Sequence, residues 1–267
     1  MPDLTRLETH FSFGKNWASF ARIVGEQQIS DAVTGMQKLV GDLTGARFLD
    51  IGCGSGLHSL AALRLGAAEV VAVDIDPDSV DTTRTLLSSA APNARFRVEE
   101  ASVFELTPAR LGAFDVVYSW GVLHHTGDLN RAIRTAAALV EAKGRFAFAL
   151  YRRTWTCPLW RWEKRWYSAT SPKAQKVAQA LYIAMYRLAR LSVPTTTVAG
   201  QKRGMDFVHD VHDWLGGYPY ESIDPQTVDD LMCELRFRVN QRWVKNGWRE
   251  RTGLLGSGCD EYVYMRP

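Results

Sequence analysis

Three glycines at alternate positions, Gly52, Gly54 and Gly56, follow the short apolar run RFLDI. A chain that leaves a strand through glycines can turn sharply and let a ligand approach its backbone where a side chain would block it. Asp50, just ahead of the glycines, is placed to orient this loop or to meet a cationic ligand group. Asp74 closes the next apolar run, EVVAVDI, where a carboxylate can accept hydrogen bonds from both vicinal hydroxyls of a ribose. The dinucleotide fingerprint needs a glycine at position 57, which is Leu57, so the loop argues against a nicotinamide dehydrogenase.

A second group of reactive side chains is His124 and His125 in YSWGVLHHTGD (118–128). They read as a catalytic base, as metal ligands or as packed imidazoles in a turn. Neighbours on a turning segment point apart, so at most one faces an acceptor. A metal pair on a helix would favour i, i+4 spacing, which adjacent residues lack. Further on, His209 and His212 with Asp210 or Asp213 offer loose metal spacing without a third His or Cys. A loop over a site mouth is the preferred reading there, and no metal is expected.

Positioning these groups requires strand ends gathered at one edge. RFLDIG (47–52), EVVAVDI (69–75), ARFRVEEA (94–101), FDVVYSW (114–120) and RFAFALY (145–151) predict strands. SLAALRLG (59–66), a helix opened by Asp76 and Pro77, and LNRAIRTAAALV (129–140) predict the helices between them. Gly144 is expected to separate the last helix from its strand. Alternating strands and helices imply a parallel sheet covered on both faces. Before it, Ile29, Val33, Met36 and Val40 fall at helical spacing. After residue 151 the rhythm stops: a helix over 173–191 and a loop-like 204–221 precede a helix from Pro225 and two strands, FRVNQRWVK and CDEYVYMR.

With 267 residues, 46% hydrophobic and 23% charged, the chain suits one globular domain. A net charge of +3 is too mild to imply nucleic acid, and no nucleic-acid partner is expected. No apolar run reaches the ~20 residues that span a bilayer. The start MPDLTRLETHF shows no signal peptide, and four cysteines without C-x-x-C spacing read as free thiols of a cytoplasmic protein.

LDIGCGSG, VVAVDID and FDVVYSWGVLHH together resemble the class I S-adenosylmethionine-dependent methyltransferases, over roughly residues 45–151. The resemblance implies a Rossmann-like sheet of seven strands whose last strand is antiparallel. It implies a single domain: helical lid (1–44), cofactor core (45–151), acceptor-side insertion (152–220) and the end of the sheet (221–267). The glycine loop would cup the methionine part of S-adenosylmethionine, and Asp74, followed by Ile75, would bind the ribose. Ser102 and Val103 would flank the adenine, Ser102 standing where many members carry an acid. Trp120 and Gly121 would lie beside the methionine portion. HFSFGKNWASF (10–20) resembles the leading helix of bacterial small-molecule members, with Phe13 and Trp17 in the lid; the alternative is simple anchoring of a helix.

The implied activity is methyl transfer to an O, N or activated C of a small molecule. An RNA or protein methyltransferase and a non-catalytic cofactor-binding subunit are the alternatives. His125 is the recurrent position and candidate base. Tyr118, Tyr151, His209, Trp214 and Tyr218 are acceptor-side candidates. RRTWTCPLWRWEKRWY (152–167) is expected to form a helix with its tryptophans on the core; contact with nucleic acid or an anionic membrane are the other readings. Val177, Leu181, Met185 and Leu188 share one stripe of the next helix, with Lys173, Lys176, Arg187 and Arg190 elsewhere, which is equally compatible with core packing, a homodimer face or a membrane.

Overall fold

In the computed structural model, which describes residues 3–191, 207–244, 252–254 and 256–267, the apolar runs become a seven-stranded sheet. Its strands are β1 (Arg47–Ile51), β2 (Glu69–Asp74), β3 (Phe96–Glu100), β4 (Phe114–Trp120), β5 (Val140–Tyr151), β6 (Arg238–Trp243) and β7 (Cys259–Met265). Their order is β3-β2-β1-β4-β5-β7-β6. Strands β1 to β5 pair in parallel, and β7 is antiparallel to both β5 and β6. The order reverses between β1 and β4, where an open α/β sheet leaves a crevice at its carboxyl edge.

Helices α1 (Gly14–Ala21) and α2 (Glu26–Val40) precede the sheet. Helices α3 (Leu57–Arg64), α4 (Pro77–Ala90), α5 (Pro108–Leu111) and α6 (Leu129–Ala138) connect its parallel strands. Helices α7 (Cys157–Ala169), α8 (Pro172–Leu191), α9 (Phe207–Gly216) and α10 (Pro225–Glu234) lie between β5 and β6. Side chains alternate across each strand, so both faces need cover. Phe48, Val70, Val116, Tyr118 and Ala147 join one buried cluster with Met36 of α2 and Leu60 of α3. Leu49, Val71, Val117 and Phe148 join the other, with Ile133 of α6 and Met232 of α10.

Three expectations are corrected. Helix α6 stops at Ala138 because Val140 already pairs with Phe114, so β5 runs through Gly144 instead of starting after it. Residues 207–216 of the loop-like segment are helical, since Val211 and Leu215, one turn apart, seat against Tyr167 of α7; residues 204–206 lie outside the described residues. Of the four tryptophans in 152–167, only Trp160 is buried, while Trp155, Trp162 and Trp166 are exposed. Cys157, Trp160, Lys164 and Tyr167 make the inward face of α7, which turns Trp162 and Trp166 to the opposite side.

Candidate cofactor and acceptor site

The end of β1 is held against β2 by the Gly52 and Cys53 N–H groups, which donate to the Val73 carbonyl at 2.8 and 3.1 Å. Gly52 has φ +78° and Gly54 φ +54°, a region that side-chain-bearing residues avoid. A Cβ on Gly52 would lie 2.3 Å from the Val122 side chain, and one on Gly54 would lie 3.2 Å from the Trp17 indole. The turn therefore passes as a bare backbone between the β4 exit and α1. Gly56 packs against Thr83 of α4, away from the cavity that the other two border.

Asp74 lines this cavity and organises the turn: its carboxylate accepts the Gly54 N–H at 2.9 Å and the Asp76 N–H at 2.9 Å. Burial raises its pKa to about 6, against the lowering effect of those two N–H donors. Asp50 stands behind the turn. It is buried, outside the cavity lining, and accepts a hydrogen bond from Ser59 Oγ of α3 at 2.6 Å. Burial lifts its pKa from 3.8 to about 7. Between these values the native state holds a proton that the unfolded chain has lost, so stability falls as pH rises from about 4 to about 7. Asp50→Asn removes this dependence. Its melting temperature relative to the parent is expected to climb between pH 5 and 8, and a constant difference across that range would refute the assignment.

The cavity measures about 480 Å³. On its β2–β3 side lie Asp74, Ile75, Ser102 and Val103; on its β4–β5 side lie Trp120, Gly121, His125 and Tyr151; Trp214 comes from α9. The Ser102 hydroxyl is engaged locally, accepting the Phe104 N–H at 3.4 Å while Glu105 accepts the Ser102 N–H at 2.9 Å. Phe13 and Trp17 bring α1 over the glycine turn.

Helix α1 is fastened on two sides. One oxygen of Asp76 accepts Ser12 Oγ at 2.9 Å and the Gly14 N–H at 2.8 Å, while the other accepts the Asp78 N–H at 3.0 Å as the cap of α4. On the far side, Asn16 Nδ2 donates to Asp213 of α9 at 2.6 Å and to the His209 carbonyl at 3.2 Å. Burial pushes the Asp213 carboxyl well up, opposed by the Asn16 bond.

The two imidazoles do not point apart: they meet edge-on with centroids 4.4 Å apart, and only His125 reaches the cavity. His125 lines the cavity, with Nδ1 2.8 Å from the Pro219 carbonyl and its ring 5.5 Å from Phe13. That carbonyl can only accept, so Nδ1 carries the proton and Nε2 the lone pair. Burial lowers its pKa to about 3 and keeps the imidazole neutral. His124 is fully buried behind the lining. Its Nδ1 accepts the Tyr151 N–H at 3.3 Å, and its ring lies 3.7 Å from the Tyr151 ring. Tyr151 in turn meets Trp214 edge-on at 5.1 Å, and these two rings with His125 form an aromatic wall of the cavity.

Tyr118, His209 and Tyr218 stand outside the lining. Tyr118 alternates to the opposite face of β4, where it meets His58 and Phe48. His209 turns its ring to Phe20, and Tyr218 contributes a carbonyl to the Phe11 N–H. His212 is held by Tyr167 and Gln179. No group of three or more His, Cys, Asp or Glu gathers to hold a metal among the described residues.

Sequence reading missed Asp76 and Asp213 as anchors of α1 and His10, Phe11, His58 and Cys259 as wall residues. Asp76 was legible as a helix cap, and nothing local marks the second oxygen that receives α1 from 62 residues away.

Residues 48–144 match the family model described as "Methyltransferase domain". That segment of the chain is a methyltransferase domain. The Xanthomonas oryzae ubiquinone biosynthesis O-methyltransferase is 37% identical over 113 residues, 42% of this chain and 46% of that protein. The chain thus matches less than half the length of the curated relatives. The fold around the methyltransferase domain is shared more widely. The magnesium protoporphyrin IX methyltransferase of Synechocystis PCC 6803, solved with bound SAH, aligns over 90% of this chain and 82% of its own at 14% identity and a TM-score of 0.54. A solved cyclase aligns over 92% of this chain and 83% of its own at 13% identity and a TM-score of 0.54. At such identities the likeness shows architecture alone.

Proposed function

We propose that this protein transfers a methyl group from S-adenosylmethionine to an O, N or activated C of a small-molecule acceptor. The observation that carries the reading is one lidded cavity with two unlike sides. A bare glycine turn with Asp74 borders one side, and an aromatic wall of His125, Tyr151 and Trp214 borders the other. The cofactor fits the first side because the turn has no Cβ to fill it and Asp74 keeps lone pairs for ribose hydroxyls beyond the two backbone donors.

When bound, S-adenosylmethionine supplies an already activated methyl group. The chain's task is then alignment and exclusion of water. Gly52 and Gly54 admit the ligand to the backbone, Phe13 and Trp17 close over it, and Tyr151 and Trp214 orient the acceptor. His125, held by Pro219, is the wall's candidate base, and the burial that keeps it neutral also weakens it as a proton acceptor. We place the protein's acceptor in specialised metabolism and the protein in the cytoplasm, the latter supported by four thiols outside disulfides.

The solved cyclase with this fold makes binding and turnover separate questions. Calorimetry on the full chain is expected to show binding of S-adenosylmethionine and its demethylated product and none of NAD. A screen of small phenols and amines should then release demethylated product. NAD binding alone would overturn the cofactor assignment, and cofactor binding with no acceptor methylated would favour a non-catalytic subunit.

A further inference from the structure

Among the described residues, nothing covers one apolar face of helices α7 and α8. Leu159, Trp162 and Trp166 follow one stripe of α7, with Trp162 66% exposed. Val177, Leu181 and Met185 follow one stripe of α8, with Leu181 67% exposed. The stripes are contiguous, because Trp166, Val177, Leu181 and Met185 border a single groove between the two helices. Isolated apolar residues on a surface are ordinary; two adjoining stripes that include two tryptophans mark an interaction site.

Charge identifies what the face meets. From residue 152 to 191 the sequence holds nine Arg or Lys and a single acid, Glu163. Arg161 and Arg165 border the α7 stripe on one side, and Lys173, Lys176 and Arg187 border the α8 stripe, all exposed. Glu163 is partly buried in the groove, and burial raises its carboxyl to about 7.

We propose that the α7–α8 face docks on the surface of an anionic phospholipid bilayer, with Trp162, Trp166 and Leu181 entering the headgroup boundary and the five cations meeting lipid phosphates. Tryptophan suits that boundary, being apolar in body and polar at its N–H, and long cations can lay their stems on apolar surface while reaching outward. A second copy fits less well: an isologous contact would bring Arg161 and Arg165 against cations with only Glu163 to pair them. Nucleic acid would use the cations and the tryptophans but has no counterpart for Leu159, Val177, Leu181 and Met185. No helix among the described residues is long and apolar enough to cross a membrane, so the contact is peripheral.

The test is flotation of the full chain with vesicles of phosphatidylcholine alone or with about one-third phosphatidylglycerol. The expected result is at least ~10-fold tighter binding to the anionic vesicles, weakened by salt, because each cation near such a surface contributes about fivefold. Tryptophan emission should shift to the blue and be quenched by brominated lipid. Leu181→Glu and Trp162→Ala should each lower binding about tenfold with an unchanged circular dichroism spectrum. Equal binding to neutral vesicles, or none to either, overturns the proposal. So does dimerisation abolished by Leu181→Glu without vesicle binding, or capture of single-stranded RNA in preference to vesicles.

Discussion

Replacing Gly52 with alanine is expected to remove nearly all affinity for S-adenosylmethionine and to lower the stability of the fold. Two independent penalties meet at this residue. Its φ of +78° costs an L-residue about 1–2 kcal/mol. The new methyl carbon would also lie 2.3–2.9 Å from three carbons of Val122, so either the turn or the β4 exit must shift. Overpacking of this kind costs about 1–3 kcal/mol more. Together they predict a loss of about 2–5 kcal/mol in unfolding free energy and at least ~30-fold in cofactor affinity, since the displaced backbone is the cavity wall. The double variant Gly52→Ala, Val122→Ala separates the penalties. It removes the two shortest contacts, to the Val122 γ-carbons, and keeps the Cβ contact at 2.9 Å and the strained φ, so only part of the stability should return. Calorimetry and chemical denaturation measure both quantities; no recovery in the double variant would refute the packing argument.

Asp74→Ala carries the second large effect. The carboxylate is the acceptor for two backbone donors, Gly54 N–H and Asp76 N–H, at the point where the turn meets α4. Without it both donors lose their partner, and each orphaned buried group costs about 1–3 kcal/mol. The proposed ribose contacts disappear with it. We expect cofactor affinity to fall ~100-fold or more, and the melting temperature to drop by several degrees. Affinity for a fragment of the cofactor lacking the ribose should fall much less. A similar loss for both ligands would assign Asp74 to the turn alone.

Much of the fold could be read from periodicity because each strand has two different neighbours. Phe48 and Leu49 are both apolar because each faces its own layer of helices, and that doubled requirement is visible in RFLDIG. The glycine turn was legible for a related reason: backbone conformation restricts residue type strongly there. The acceptor side followed no such rule. Tyr118 and Tyr151 are both strand tyrosines near a carboxyl end, and only position along the pleat sends one into the core and the other to the cavity. Helix α9 was hidden because its register depends on Tyr167, more than forty residues earlier. The tryptophans of α7 misled because aromatic character alone suggests a core, while the inward face is set by Cys157 and Lys164 as much as by Trp160.

The fastening of α1 has a thermodynamic consequence. One short helix is bonded to Asp76, beside the β2 end, and to Asp213, beside the acceptor wall. Any free energy that a ligand on one side spends in ordering α1 is withheld from the cost facing a ligand on the other. Linkage makes that benefit reciprocal, so each occupant should tighten the other by the same factor although the two share no residue but those of the helix. Asn16 and Ser12, bonded to the lining carboxylates Asp213 and Asp76, are the positions through which that coupling would pass.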